Sequence, residues 1–237
     1  MDDVLIVISH YSARDKTSLM SLIQRISAIT SNILIVINDD SATVESFGRL
    51  ENFPVITRPN TGMNIGGWNS AYQSYRNYNY YIFMQDECSL MRDDFIAAYM
   101  QELSAEGVGM TGESINFKWD KSWAELLHSP LNYFTDICLN GRRLSRVENY
   151  LGLIRHWGIN PGEGGRHLRS LVWGFNQNAL RQIGGFPEGR SKEECIASEI
   201  SVSKKIEELG LRVTQISKTP FSFFKHQEWR SDGHSKI

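Results

Sequence analysis

Two stretches in the first forty residues, VLIVIS (4–9) and ILIVIN (33–38), are apolar at nearly every position, and around 16–29 between them the pattern turns helical. A strand covered by helices on both faces has no side to leave wet, so this alternation predicts βα units feeding a mainly parallel sheet. The two runs are expected to be central strands. PVITR (54–58) and YYIFMQD (80–86) read as further strands, separated by a helix through Trp68, Ala71 and Tyr75. DDFIAAYMQEL (93–103) opens on acids, as the positive end of a helix dipole favours, and a loop follows to VGMTG. Regular structure resumes in SLVWGFNQNALRQIGGF. A helix over about 194–209 closes at Gly210 as a C′ glycine, and LRVTQI is a late strand before the tail.

Between 113 and 170 the texture changes. FKWDKSW, LNYFTD, NGRRLSR and RHWGINPGEGGRHLRS are aromatic, Arg-rich and punctuated by glycine, without repeats or low-complexity tracts. The 237 residues are therefore expected to form one domain, with a sheet-forming half (1–112), an insertion (113–170) and a closing half with its tail (171–237). A formal net charge of −2 and a pI near 6.3 make no electrostatic case for nucleic acid. Cys88, Cys138 and Cys195 are scattered and show no C-x-x-C spacing, which argues against a disulfide framework or thiolate zinc site and for a reducing compartment. MDDVLIVISHY has no basic n-region, and no apolar run approaches the ~20 residues that span a bilayer, so a cytoplasmic protein is expected.

Chemistry is suggested where apolar strands run straight into polar groups. YYIFM ends in Gln85, Asp86 and Glu87, and ILIVI ends in Asn38, Asp39, Asp40 and Ser41. Ligands of open α/β sheets gather beyond the carboxyl ends of the strands. Acids there either finish a strand in a solvated turn or hold a divalent cation against phosphate oxygens. Asp39 suits an Asx-turn as well as a ribose or base. RPNTGMNIGGWN sets Gly62, Gly66 and Gly67 at a helix start, where close backbone approach and unpaired N–H groups suit an anion, without the ending of a P-loop. Glu199 stands beside an apolar stripe of Ile196, Ile200, Ile206 and Leu209 and among the small residues Ala197, Ser198 and Ser201. That setting fits a general base or an ordinary charged helix position. In the tail, His226 and His234 are metal ligands or packed side chains, whereas His10, His156 and His167 have no metal-ligand spacing. The arginines of the insertion, 142, 143, 146, 155, 166 and 169, form a solvated face or meet an anionic acceptor.

In their order these segments resemble the GT-A nucleotide-sugar glycosyltransferases, in particular glycosyltransferase family 2 and its bacterial rhamnosyltransferase-like relatives. VLIVISHYS is similar to the opening strand and donor loop, VINDDSA to V-D-D-G-S, and RPNTGMNIGGWNSAY to the N-x-G segment with its helix. YYIFMQDECSL resembles the strand leading to D-x-D, WGFNQNALRQIGGFPEG the stretch before the acceptor helix, and SEISVSKKIEELGLRV the E-D-x-D-L segment with its later glycine. The resemblance covers nearly the whole chain outside 113–170. It implies a Rossmann-like GT-A sheet and inverting transfer of a sugar from a nucleotide-sugar donor to a hydroxyl of a glycan or lipid-linked saccharide, in bacterial surface polysaccharide synthesis. The alternative is a domain of the same fold that binds a sugar nucleotide or glycan with weak catalysis or none. The roles implied are Glu199 as general base, Ser9, Tyr11, Asp39, Asn60, Asn64, Gly67, Gln85, Asp86, Trp173 and Gly174 at the donor, and Glu87 and His226 on a Mn²⁺ or Mg²⁺ ion. Peripheral association with the inner face of a membrane would accompany a lipid-linked acceptor. Gln85 and Glu87 stand where D-x-D has its two acids, Asn38 at the first acid of V-D-D, and Ser198-Glu199 at the pair E-D.

Overall fold

The structure is a computed structural model that describes residues 3–139, 141–227 and 229. Its centre follows from the unbroken apolar runs. In β1 (Val4–Tyr11), Val4, Ile6 and Ile8 pack on one side of the sheet, while Leu5 and Val7 pack on the other. The same division holds in β2 (Ile33–Asp39), beyond α1 (Thr17–Ser27): Ile33 and Ile35 face one way, Leu34 and Val36 the other. The chain continues through β3 (Ser46–Leu50), β4 (Phe53–Pro59), α2 (Met63–Ser74), β5 (Tyr80–Gln85), β6 (Cys88–Leu90), α3 (Phe95–Leu103) and β7 (Val108–Gly112). Next come α4 (Trp123–Leu127), a hairpin of β8 (Phe134–Leu139) and β9 (Arg142–Ser145), and α5 (Arg146–His156). The last elements are β10 (Val172–Asn176), α6 (Gln177–Ile183), α7 (Lys192–Glu208), β11 (Arg212–Gln215) and β12 (Phe224–His226).

Eight strands form one sheet in the order β11-β7-β10-β5-β1-β2-β4-β3. β10 runs against both its neighbours and β3 against β4; the other pairings are parallel. The expected α/β sheet is present, with both apolar runs in its interior. One face is covered by α1, α3 and the tail residues Phe223 and Phe224; the other is covered by α2, α6 and α7. Gly66 and Gly67 let α2 lie close to the sheet: a Cβ on Gly67 would stand 3.1 Å from Val36 and from the Asn38 amide. Gly210 has φ +71°, the left-handed turn that ends α7.

Residues 113–170 build a third apolar cluster, in which Trp119, Trp123, Tyr150 and Ile154 pack against Ala197 and Ile200 of α7. Both helices of this segment start in capping boxes, Ser122 with Glu125 and Ser145 with Glu148. Helix α7 is thus held from two sides: Ala197 and Ile200 face the segment, and Val202 and Ile206 face the sheet. The apolar stripe expected on α7 is divided between two cores, and Leu209 is left exposed. A small second sheet pairs β12 with β6, which brings His226 opposite Cys88. No helix among the described residues is long and apolar enough to cross a membrane.

Candidate active site

Four parallel strands, β1, β2, β4 and β5, end together, and their last residues carry several hydrogen-bonded polar groups. Buried Asn38 accepts from Arg58 Nη1 (3.1 Å), which also donates to the Thr61 carbonyl (2.8 Å). Arg58 Nη2 reaches Glu188 Oε2 (3.2 Å), and Asn69 Nδ2 donates to the other oxygen of that carboxylate (2.8 Å). One buried guanidinium therefore ties the end of β4, the turn before α2 and the loop after α6 together, because its fork of donors can serve several acceptors at once. Ser9 is buried as well. Its hydroxyl accepts from Trp68 Nε1 (3.1 Å) and donates to Asn64 Oδ1 (2.9 Å). Asp86 accepts from His10 Nδ1 at 2.6 Å, with both side chains out of solvent.

Nearer the surface, Tyr11 and Asn60 both donate to Asp40, the latter at 3.0 Å. The hydrogen bond to that carboxylate is the main reason the Tyr11 hydroxyl titrates above its ordinary range. Asp39 accepts from the hydroxyl and amide of Ser41 (2.7 and 2.8 Å), an Asx-turn that holds its carboxyl below the usual carboxylate range. Over these groups lies a cavity of about 290 Å³ lined by Tyr11, Arg14, Asn38, Asn60, Met63, Asn64 and Asp86. A second, of about 190 Å³, is lined by Met63 and Asn64 from its other side and by Gln85, Ser170, Lys192 and Glu199. The two share Met63 and Asn64 in their linings and so lie side by side at the strand ends. A larger groove of about 880 Å³ follows edge strand β11 between Phe117, Arg166 and Lys218, and none of the strand-end acids lines it.

Glu199 is the carboxylate of the second cavity. Its Oε2 accepts from the Ser170 amide (2.7 Å) and hydroxyl (2.5 Å), and its Oε1 lies 3.0 Å from His167 Nε2. Burial acts to raise its pKa, but the His167 and Ser170 hydrogen bonds and the His167 charge outweigh it and hold the carboxyl below the ordinary glutamate range. Gln85 fastens the same corner by donating from Nε2 to the Ser170 carbonyl (2.6 Å). Neither His167 nor Ser170 was singled out as a site residue from the sequence. Both lie at the end of the 113–170 segment and reach Glu199 only through the packing of α7.

The residues expected at the metal are brought to one region. Glu87 stands two residues past β5 and is ion-paired with Arg14, which lines the 290 Å³ cavity. His226 is buried and set beside that strand end by the β6–β12 pairing. Among the described residues, no three of His, Cys, Asp and Glu gather in the manner of an all-protein metal cage.

Four expected donor contacts need correction. Trp173 is wholly buried and packs against Trp68, Phe175 and Phe186 in the core. Gly174 pairs with Ile82 in mid-sheet, where an added Cβ would stand 2.6 Å from the Tyr99 ring. The cleft residue of this stretch is Ser170, just before β10. Gly67 is a packing glycine against β2, and Ser9 lies behind Asn64, its hydroxyl already spent on Trp68 and Asn64. Tyr11, Asn60, Asn64, Gln85 and Asp86 line the cleft, and Asp39 lies beside it in its turn. His234 lies outside the described residues.

No family model matches the chain, and no curated protein matches it. Among solved structures it is similar to the mannosyltransferase PcManGT from Pyrobaculum calidifontis in complex with GDP-Man and Mn²⁺, with 12% identity and a TM-score of 0.53. That match covers 90% of this chain and 54% of the other, so the chain spans about half the length of that relative. It is also similar to the glucosyl-3-phosphoglycerate synthase from Mycobacterium tuberculosis in complex with Mn²⁺, UDP and glucosyl-3-phosphoglycerate. There the identity is 13%, the TM-score 0.52, and 97% of this chain and 73% of the other are covered. At such identities the likeness is one of fold, and the fold is GT-A.

Proposed function

We propose that this chain is an inverting glycosyltransferase that moves a sugar from a nucleotide-sugar donor to a hydroxyl of a glycan or lipid-linked saccharide. The observation that carries this reading is a pair of adjoining pockets: a polar one over the strand ends shares Met63 and Asn64 with a smaller one that holds the fixed Glu199 carboxylate. The nucleotide would lie against Tyr11, Asn38 and Asn60, with Arg14 toward its diphosphate. An acceptor hydroxyl beside Glu199 gives up its proton to that carboxylate while its oxygen bonds to the anomeric carbon. The bond from that carbon to the diphosphate breaks, and its electron pair leaves with the diphosphate. Attack from the opposite face inverts the carbon, and one base suffices without a covalent enzyme intermediate. Residues 113–170, packed on α7, give Ser170 to the pocket wall, and a bound donor and acceptor would displace water there, which favours transfer over hydrolysis.

Both structural neighbours hold Mn²⁺ together with a nucleotide or nucleotide sugar. The side chains here suit such an ion: Glu87 offers hard carboxylate oxygens where the cation Arg14 already sits, and His226 offers an imidazole. An Mg²⁺-like ion takes one or two protein ligands and completes its shell with phosphate oxygens and water, so no all-protein cage is needed. Glu87 and His226 would hold Mn²⁺ or Mg²⁺, which when bound supplies positive charge to the leaving diphosphate.

A setting in bacterial surface polysaccharide synthesis, at the inner membrane face, fits a lipid-linked acceptor. In its support, the β8–β9 hairpin exposes Phe134, Ile137 and Leu139 beside Arg142 and Arg143. Sedimentation with anionic but not neutral vesicles is expected, and loss of the effect in F134S/L139S would place the contact on the hairpin. A second reading, a domain that binds a sugar nucleotide without turnover, is favoured by the engagement of Asp86 with His10 and Glu87 with Arg14. Calorimetric titration of UDP-, GDP-, dTDP- and CMP-sugars, with and without Mn²⁺, on wild type and Glu87→Ala tests the first reading. Binding of one nucleotide only with metal, lost in Glu87→Ala, upholds the donor site; a product of inverted configuration upholds transfer. No binding under any condition overturns both readings.

A further inference from the structure

We propose that His167 is a positioning residue for Glu199, so that the base of the reaction is an imidazolium–carboxylate pair rather than a lone acid. This inference rests on the reading of Glu199 as general base. The argument is a count of protons. His167 is buried, and its Nδ1 lies 2.6 Å from the Gly165 carbonyl, which can only accept, so Nδ1 carries hydrogen. A neutral ring would then turn the bare lone pair of Nε2 toward Glu199 Oε1, 3.0 Å away, where the Asn116 amide, whose oxygen accepts from Arg169, offers that lone pair only a longer, 3.3 Å N–H. Two lone pairs at that distance repel, so a proton lies between them. The two Ser170 donors on Oε2 favour the ionised carboxylate, which leaves that proton on the ring.

With both lone pairs of Oε2 met by Ser170 and one of Oε1 met by His167, the carboxylate cannot rotate, and the second lone pair of Oε1 is left to meet the acceptor in the pocket that Glu199 and Ser170 line. In the transfer step the hydroxyl proton passes to the open lone pair of Oε1 while the imidazolium keeps its own. The pair goes from no net charge to one positive charge as the diphosphate leaves, and one proton returns to water when the product departs. The charged and titratable groups facing the pair are Arg169, from the loop before β10, and Lys192 and Cys195 of α7; Asn116 and the Trp119 ring face His167 from 113–122. Without the imidazolium, burial is expected to dominate and to move the carboxyl up toward neutrality.

The test compares His167→Ala, His167→Gln and Glu199→Gln in the full chain. Donor affinity, measured by calorimetry, is expected to stay within about twofold in all three, because none touches the nucleotide pocket. For His167→Ala, kcat is expected to fall by ~100-fold, the cost of a misplaced base. The acid limb of its pH profile should move toward neutral pH, and His167→Gln, which keeps an N–H donor but no charge, should recover part of kcat. Ring ¹⁵N shifts of His167 at pH 7 should show both nitrogens protonated, whether or not turnover has been found. A bare Nε2, or a His167→Ala profile and kcat equal to wild type, overturns the proposal. So does loss of donor binding in His167→Ala that His167→Gln does not restore, which makes the residue structural only. Wild-type turnover in Glu199→Gln overturns instead the reading of Glu199 as base, a separate failure.

Discussion

Glu113 lies one residue past β7, sealed beneath the tail at 1% exposure; its Oε1 accepts from the Tyr99 hydroxyl (2.9 Å) and its Oε2 from the Phe223 amide (3.1 Å). Glu199, at the same end of the sheet, has a side chain 17% exposed to the cleft, with Ser170 and His167 as its partners. Burial pushes the Glu113 carboxyl up to about 7 despite its hydrogen bonds, whereas that of Glu199 is held below the ordinary range. The donors make the difference. Glu113 meets a phenol and backbone amides, all neutral, and Glu199 meets a histidine charge as well as two neutral donors. One carboxylate latches the tail that carries His226, since its own backbone carbonyl also accepts from Phe221 (3.2 Å). The other remains an anion at neutral pH and faces a pocket.

The most severe way to break this contrast is Glu199→Gln, expected to lower the transfer rate by ~10²–10⁴-fold with donor binding retained. Paired kinetic and calorimetric measurements check it, and an unchanged rate would reduce both glutamates to structural groups. Next in size is a pH effect on stability from Glu113. Its folded pKa, about 7, exceeds the reference 4.5, so the folded chain keeps a proton that the unfolded chain releases. The stabilisation is fully present below about 4.5 and is lost as pH rises through about 7, on the order of 3 kcal/mol from this group. Denaturant unfolding at pH 5 and pH 8 should therefore show wild type losing more stability than Glu113→Gln between the two; equal losses would mean that the tail does not desolvate this acid.

Ser170→Ala sharpens the other side. It removes one of two donors to Oε2 and should raise the Glu199 pKa and lower kcat roughly tenfold, about 1.4 kcal/mol, read from the pH–rate profile. Tyr11→Phe, which deletes an exposed hydrogen bond to Asp40, should be the smallest change, weakening donor binding by under about fivefold in a calorimetric titration.

The elements most legible in the sequence are those whose burial is uniform. β1, β2 and β5 are covered on both faces and read as unbroken apolar runs, and α7 stops at a glycine that takes the left-handed turn. β3 escaped notice because four of its five residues are exposed, and β6 and β12, of three residues each, are too short to show a period. The polar groups that end β2 and β5 were visible as breaks in hydrophobicity, and Asn38, Gln85 and Asp86 line the pockets there; Tyr11, Asn60 and Asn64, which line them too, were expected only through the family resemblance. Trp173 and Gly174 were misplaced because an aromatic beside a glycine reads alike in a sugar pocket and in a core.

From the sequence alone came the sheet, its central strands and the ends at which chemistry would gather, since hydrophobic period is written among near neighbours. The tertiary structure alone decided which acid is charged and what holds it. Arg58 meets Glu188 across 130 positions and His167 meets Glu199 across 32, and such contacts depend on how helices seat on the sheet. A carboxylate's pKa is set by the burial and donors around it, and those surroundings exist only once distant segments have packed.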